Sequence, residues 1–140
     1  MVGIGNELCG DDAAGVTIAR ALQPYASEHL LVIDAGPAPE NCTGSLRRFA
    51  PDLVLLVDAA QMDETPGAIC CMAWQDTTGF GASTHTLPPY VLAQFLMATL
   101  ECDVALVGIQ PASMGYDQPC SPEVNQAIDS IVATLTEALI

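Results

Sequence analysis

The chain contains no lysine. Arg20, Arg47 and Arg48 are its only strong bases; against 17 aspartates and glutamates they leave a net charge of −14 at pH 7. Seventeen acids in 140 residues is an ordinary share, so the imbalance comes from the missing bases. A nucleic-acid binder needs a basic footprint, which excludes that class. The same deficit argues against an anionic membrane surface and against phosphate sites built around a lysine. Partners that are positively charged or carry a metal are favoured. Also missing are a long apolar run and a basic stretch near the N-terminus, so neither a transmembrane helix nor a signal peptide is readable, and the expected location is the cytoplasm. Finally, Cys9, Cys42, Cys70, Cys71, Cys102 and Cys120 include no C-x-x-C spacing. An apolar chain of this length needs no disulfide staples, and the cysteines read as reduced.

What is present is a core. Hydrophobic residues make up 51% and mean hydropathy is +0.38, which excludes disorder. The length fits one domain, residues 1–140. Short apolar runs alternate with helical-period segments, the pattern of an α/β domain on a largely parallel sheet. Five strands are expected: Met1 to Ile4, Leu30 to Ile33, Leu53 to Val57, Ala68 to Trp74 and Val104 to Ile109. Helices are expected from Asp12 to Leu22, Thr43 to Phe49, Pro89 to Leu100 and Pro122 to Leu139, the last with Ser121 as N-cap and Pro122 at its first position. Only about ten residues join the third and fourth strands, too few for a parallel crossover, so the fourth strand is expected to be antiparallel. Gln75 to Thr84 must then recross the sheet for His85 to sit near the other strands' C-terminal ends; ten extended residues reach about 33 Å, enough for a strand of roughly 20 Å. The first strand is short for a central one, which points to a start codon placed late or to a few missing residues.

Open α/β sheets bind ligands beyond the carboxyl ends of their strands. Asp34 and Asp58 are expected to end the second and third strands, Asp11-Asp12 follow the first loop, and the returning loop brings His85. Each has a plain structural reading. Asp11 suits the N-cap of the next helix, Asp12 its dipole, Asp34 and Asp58 a turn, and His85 a helix entry. Together they repel unless a cation neutralises them, and lysine is absent. Two carboxylates and an imidazole suit a borderline transition metal such as nickel or zinc, held weakly until a partner completes the coordination. A dinucleotide site is the rival, since Gly3-x-Gly5 precedes a helix and Asp34 ends a strand. It fails because Leu8 stands at the third glycine position and Asp11-Asp12 put negative charge where a pyrophosphate docks. Ser83 lacks a nucleophile elbow, a Cys-His pair using Cys42 or Cys120 is less expected than buried thiols, and Cys9 is a further potential metal contact.

Five segments carry a resemblance: Gly5-Asn6 with Gly10-Asp11-Asp12; Asp34-Ala35-Gly36-Pro37-Ala38-Pro39-Glu40-Asn41; Val57-Asp58-Ala59; Thr84-His85-Thr86-Leu87-Pro88; and Val107-Gly108-Ile109-Gln110-Pro111. In this order they resemble the nickel-iron hydrogenase maturation endopeptidases, most closely the type serving formate-hydrogenlyase (hydrogenase 3) large subunits. The resemblance implies a three-layer αβα sandwich, phosphorylase/hydrolase-like, and a protease that removes the C-terminal tail of a large-subunit precursor after nickel insertion. It implies that Asp12, Asp58 and His85 contact the metal and that Asp34 has a functional part. The chain departs from the family in a somewhat shorter N-terminus and in Cys9, which bears on metal preference.

The mechanism expected has no permanent cofactor. Nickel in the precursor is the recognition element, and either Asp34 or a carboxylate released from the ion activates water. The family is often classed with aspartic endopeptidases, but a proton-sharing dyad is not demanded here. A non-catalytic nickel-binding accessory protein is the alternative, and a monomer is expected.

Overall fold

The computed structural model describes residues 1–76, 81–82 and 89–139. In chain order its elements are β1 Val2–Ile4, α1 Ala14–Leu22, β2 Ile33–Gly36, α2 Thr43–Phe49, β3 Leu53–Gln61, β4 Ile69–Ala73, β5 Gly81–Ala82, α3 Pro89–Leu100, β6 Asp103–Ile109 and α4 Pro122–Leu139. Five strands lie in the order β2-β1-β3-β6-β4, and all neighbours are parallel except β4 and β6. The antiparallel fourth strand follows from its short connection, which cannot recross the sheet.

Alternation along the strands sends successive side chains to opposite faces. Leu56 and Leu106 meet Leu46 of α2 and Leu92 and Leu96 of α3. Val57 and Val107 meet Ile18 of α1 and Val124, Ile128 and Ile131 of α4. Helices on both faces make the three layers. In α4 the buried residues recur at helical spacing, and the Ser121 hydroxyl caps it by accepting the Val124 N–H at 3.4 Å. No described helix is long and apolar enough to cross a membrane.

Three elements shift by more than one residue, each for a local reason. β2 begins at Ile33 rather than Leu30, because Ser27 and Leu30 close a tight turn on each other and Ile33 is the first of these residues to donate to β1, at Met1 O (3.0 Å). Asp34 is therefore inside β2, opposite Gly3, instead of ending it. β3 runs on to Gln61, so Asp58 too lies within a strand; the ladder to β6 continues through it, Asp58 facing Gly108. Asp12 belongs to a 3-10 turn, Gly10–Ala13, and the α-helix proper starts at Ala14.

β5 extends the pairing of β3 beyond the reach of β1. β1 pairs only with Leu56 and Val57, whereas Ala82 and Gly81 pair with Ala60 and Gln61. The chain left β4 at the opposite end of the sheet, so at Gly81 it has recrossed to the C-terminal ends of the parallel strands. His85 and the rest of residues 83–88 lie outside the described residues.

Candidate active site

Small residues bring the start of α1 onto the strand ends. A Cβ on Gly15 would collide with the carbonyl oxygens of Ile4 and Val57, so only glycine allows this approach. Gly5 has φ +149°, and a Cβ there would run into the Asp12 carbonyl. The loop after β1 is drawn tight by the Asn6 N–H, which lies 3.2 Å from the Asp12 carbonyl oxygen and 3.1 Å from its Oδ2. Asp12 is completely buried in a turn that packs against β3.

Asp58 is 3% exposed and lies one residue beyond Val57, whose carbonyl α1 approaches at Gly15. Asp12 and Asp58 thus sit on adjoining elements at the C-terminal ends of β1 and β3. By strand alternation Asp58 points to the α2/α3 face, with Leu56.

Asp34 is placed differently. It shares its row with Gly3 and Val57, two strands from β3, and faces α1, where its Oδ2 accepts from Arg20 Nε at 2.7 Å. Its Oδ1 accepts the Gly36 N–H at 3.2 Å. Of the three aspartates it is the one open to water, its side chain being 30% exposed. His85, the fourth expected site residue, lies outside the described residues. Among the described residues no three His, Cys, Asp or Glu side chains cluster closely enough to hold a metal. Cys9 is half-buried and its backbone bridges to Gln118.

Three residues with structural parts at this end escaped the sequence reading. Asp11, expected to cap α1, makes no such bond. Its Oδ2 instead accepts from Ala112 N (2.8 Å), Ser113 N (3.1 Å) and the Ser121 hydroxyl (2.9 Å), and its Oδ1 from Ser121 N (2.6 Å). Burial by itself would raise the carboxyl pKa, but these donors outweigh it and hold Asp11 below the ordinary aspartate value. Arg20 joins Asp34 to Glu7 (2.5 Å), and the two acids raise its pKa further. Gln110 is 5% exposed; its Oε1 accepts Met62 N at 2.7 Å and its Nε2 donates to Gln61 Oε1 at 2.9 Å, fastening the end of β3 to β6. The Asp11 carboxylate bonds to residues 101 or more positions away, and Gln110 reaches Gln61, Met62 and Glu64, 46 to 49 positions away; no local sequence signal reveals such partners.

Arg20 and Asp34 line a shallow pocket of about 130 Å³ together with Gly5, Asn6 and Gly36. A larger cavity of about 520 Å³ lies at the opposite end, by Met1, Phe49 and Leu53, away from these carboxylates.

The sequence model for HycI, hydrogenase maturation protease, matches residues 16–138. That span includes Asp34, Asp58 and His85, while Asp12 lies just ahead of it. The Hydrogenase 3 maturation protease of Escherichia coli K12 is 32% identical over 133 residues, covering 94% of this chain and 85% of its own. Among solved structures, the [NiFe] hydrogenase maturation protease HycI of Thermococcus kodakarensis superposes with a TM-score of 0.88 at 31% identity, covering 97% of this chain and 88% of the other. The endopeptidase HycI of E. coli gives 0.81 at 30%, covering 96% and 86%. The five-stranded sheet with its antiparallel strand is shared with these proteins, and the chain belongs to the hydrogenase maturation protease family, an endopeptidase of that type.

Proposed function

We propose that the protein removes the C-terminal tail of a nickel-iron hydrogenase large-subunit precursor once nickel is in place, and that this nickel, part of the substrate, is what the enzyme recognises. Asp12, Asp58 and His85 complete the ion's coordination and so hold the scissile peptide beside the strand ends. The ion polarises the carbonyl while a carboxylate takes a proton from water. Hydroxide adds to the carbonyl carbon, the C–N bond breaks, and the amine leaves with the proton. Asp34 is assigned as the base because water reaches it, whereas Asp12 and Asp58 are buried.

The observation that carries this reading is the burial of Asp12 and Asp58 on adjoining elements of a chain with so few bases. Arg20 is engaged by Asp34 and Glu7. Arg47 and Arg48 lie in the last turn of α2, which leads to the start of β3 at the other end of the sheet. Two buried carboxylates on adjoining elements suit a cation brought by the substrate, and a substrate that carries one is selected over one that does not. The enzyme works as a cytoplasmic monomer without a cofactor of its own. Incubating it with precursor and following the tail by mass spectrometry tests this. Release of a free C-terminal peptide is expected; a stable complex with the tail intact would mean an accessory protein that does not cut.

A further inference from the structure

Among the described residues β4 pairs only with β6, so it is an edge of the sheet. Edge strands are ordinarily blunted by a charge, a proline or a bulge. Ile69–Ala73 reads Ile-Cys-Cys-Met-Ala and has neither charge nor proline. The direction of its free backbone groups follows from its register. Gln110 N–H donates to Ala68 O at 2.9 Å and Gln110 O accepts the Gly67 N–H at 2.8 Å, a bulge of Gly67 and Ala68 against Gln110 just before β4 that leaves Ala68 O facing β6. Pairs alternate along an antiparallel ladder, so Cys70 and Met72 bond to β6, whereas Ile69, Cys71 and Ala73 turn their N–H and C=O groups outward. All three are exposed, Ile69 to 44%. Beside Ile69 and Cys71 an apolar groove of about 320 Å³ runs between β4 and α4, with Val107, Ile131 and Leu135 in its lining.

A free strand edge beside an apolar groove is what an extended peptide needs, the edge for main-chain bonds and the groove for alternate side chains. Charge selects the occupant. A second copy would set −14 against −14. Glu64 flanks one end of β4 and Asp103 the other, which suits a segment with basic residues at its ends. The edge is also continuous with the candidate site. Cys70 faces Gly108, and Gly108 faces Asp58, which puts Asp58 two strands, about 10 Å, inward of β4.

We propose that the outward edge of β4 receives an extended segment of the large-subunit precursor as an added strand, apolar at alternate positions and basic at its flanks. This rests on the proposed function and adds to it the surface that aligns the precursor before cutting. One chain running along β4 passes Ile69 with Asp58 within about five further extended residues.

The test uses nickel-loaded precursor throughout. Cys71→Pro removes an outward N–H while sparing the bonds to β6, and Cys71→Lys keeps the backbone while repelling basic flanks. For both, KM for precursor is expected to rise about tenfold or more with kcat unchanged. Amides of Ile69, Cys71 and Ala73 are expected to exchange at least about tenfold more slowly in a complex of precursor with Asp34→Asn, which keeps the groups that hold the ion, and this readout does not depend on the edge variants folding. Failure of the wild type to release the tail would overturn the proposed function itself. Normal release by the wild type, with KM unchanged in both variants or exchange unchanged at β4, would overturn the strand-addition proposal alone. So would a wild-type dimer that Cys71→Pro dissociates, since the edge would then serve a second copy.

Discussion

Asp11 accepts the Ser121 backbone N–H at 2.6 Å and the Ser121 hydroxyl at 2.9 Å, tying the loop after β1 to the N-cap of α4. Asp11 and Asp12 are adjacent, identical in type and both fully buried, yet they do different work. Asp11 fastens two segments of chain together, whereas Asp12 accepts the Asn6 N–H within its own loop and is the one to which the proposed function gives a contact with the substrate ion.

Asp11→Ala strands the donors of Ala112, Ser113 and Ser121. The expected loss is about 2 kcal/mol, a fall in Tm of roughly 5–10 °C measured by calorimetry. Because the folded-state pKa of Asp11 is depressed, its contribution is present above the unfolded value of about 3.9 and is lost as pH falls through the folded value. Urea titrations of wild type and variant are therefore expected to differ constantly from pH 7 to about 5 and to converge in acid.

Asp58→Asn and His85→Ala are expected to fold and to lose tail release by at least about 100-fold, since the proposed function gives each a contact to the substrate ion. Asp34→Asn is expected to reduce kcat while leaving binding of nickel-loaded precursor near the wild-type value. Single-turnover cleavage followed by mass, set beside a binding titration, separates the two behaviours. Normal cleavage by Asp58→Asn or His85→Ala would remove that residue from the site.

Arg20→Gln removes the link between Glu7 and Asp34 and frees the loop that also carries the Asn6 bond to Asp12. Slower tail release with little change in Tm is expected. Arg20→Lys, a single point charge in place of a fork, should restore only part of the rate.

Thiol chemistry provides a check on the packing. Cys71 is exposed, whereas burial raises the pKa of Cys42 and Cys102, and burial together with the neighbouring Asp11 charge raises that of Cys120. Brief alkylation of the native protein at pH 7.5, read by peptide mapping, should label Cys71 well before these three.

The fold was legible where one period dominates. α2, α3 and α4 fall at their expected residues because capping groups, prolines and apolar spacing agree, and the short connection before β4 revealed its direction. Asp58 looked like a strand end because a charge interrupts an apolar run; the ladder to Gly108 and the pairing of Ala60 with Ala82 carry β3 past it. Asp34 looked equivalent to Asp58, but it faces α1 while Asp58 faces α2 and α3. A shift of one residue in a strand reverses its face, and sequence alone set the start of β2 three residues early. Asp11 was misread as a local cap because all its partners lie about a hundred residues away.

The most direct measurement compares the same precursor with and without nickel. Purified large-subunit precursor, nickel-loaded or nickel-free, is mixed with this protein and the mass of the precursor is followed over time. The account predicts loss of the C-terminal tail from the nickel-loaded form and none from the nickel-free form. Cleavage of both at the same rate would contradict it.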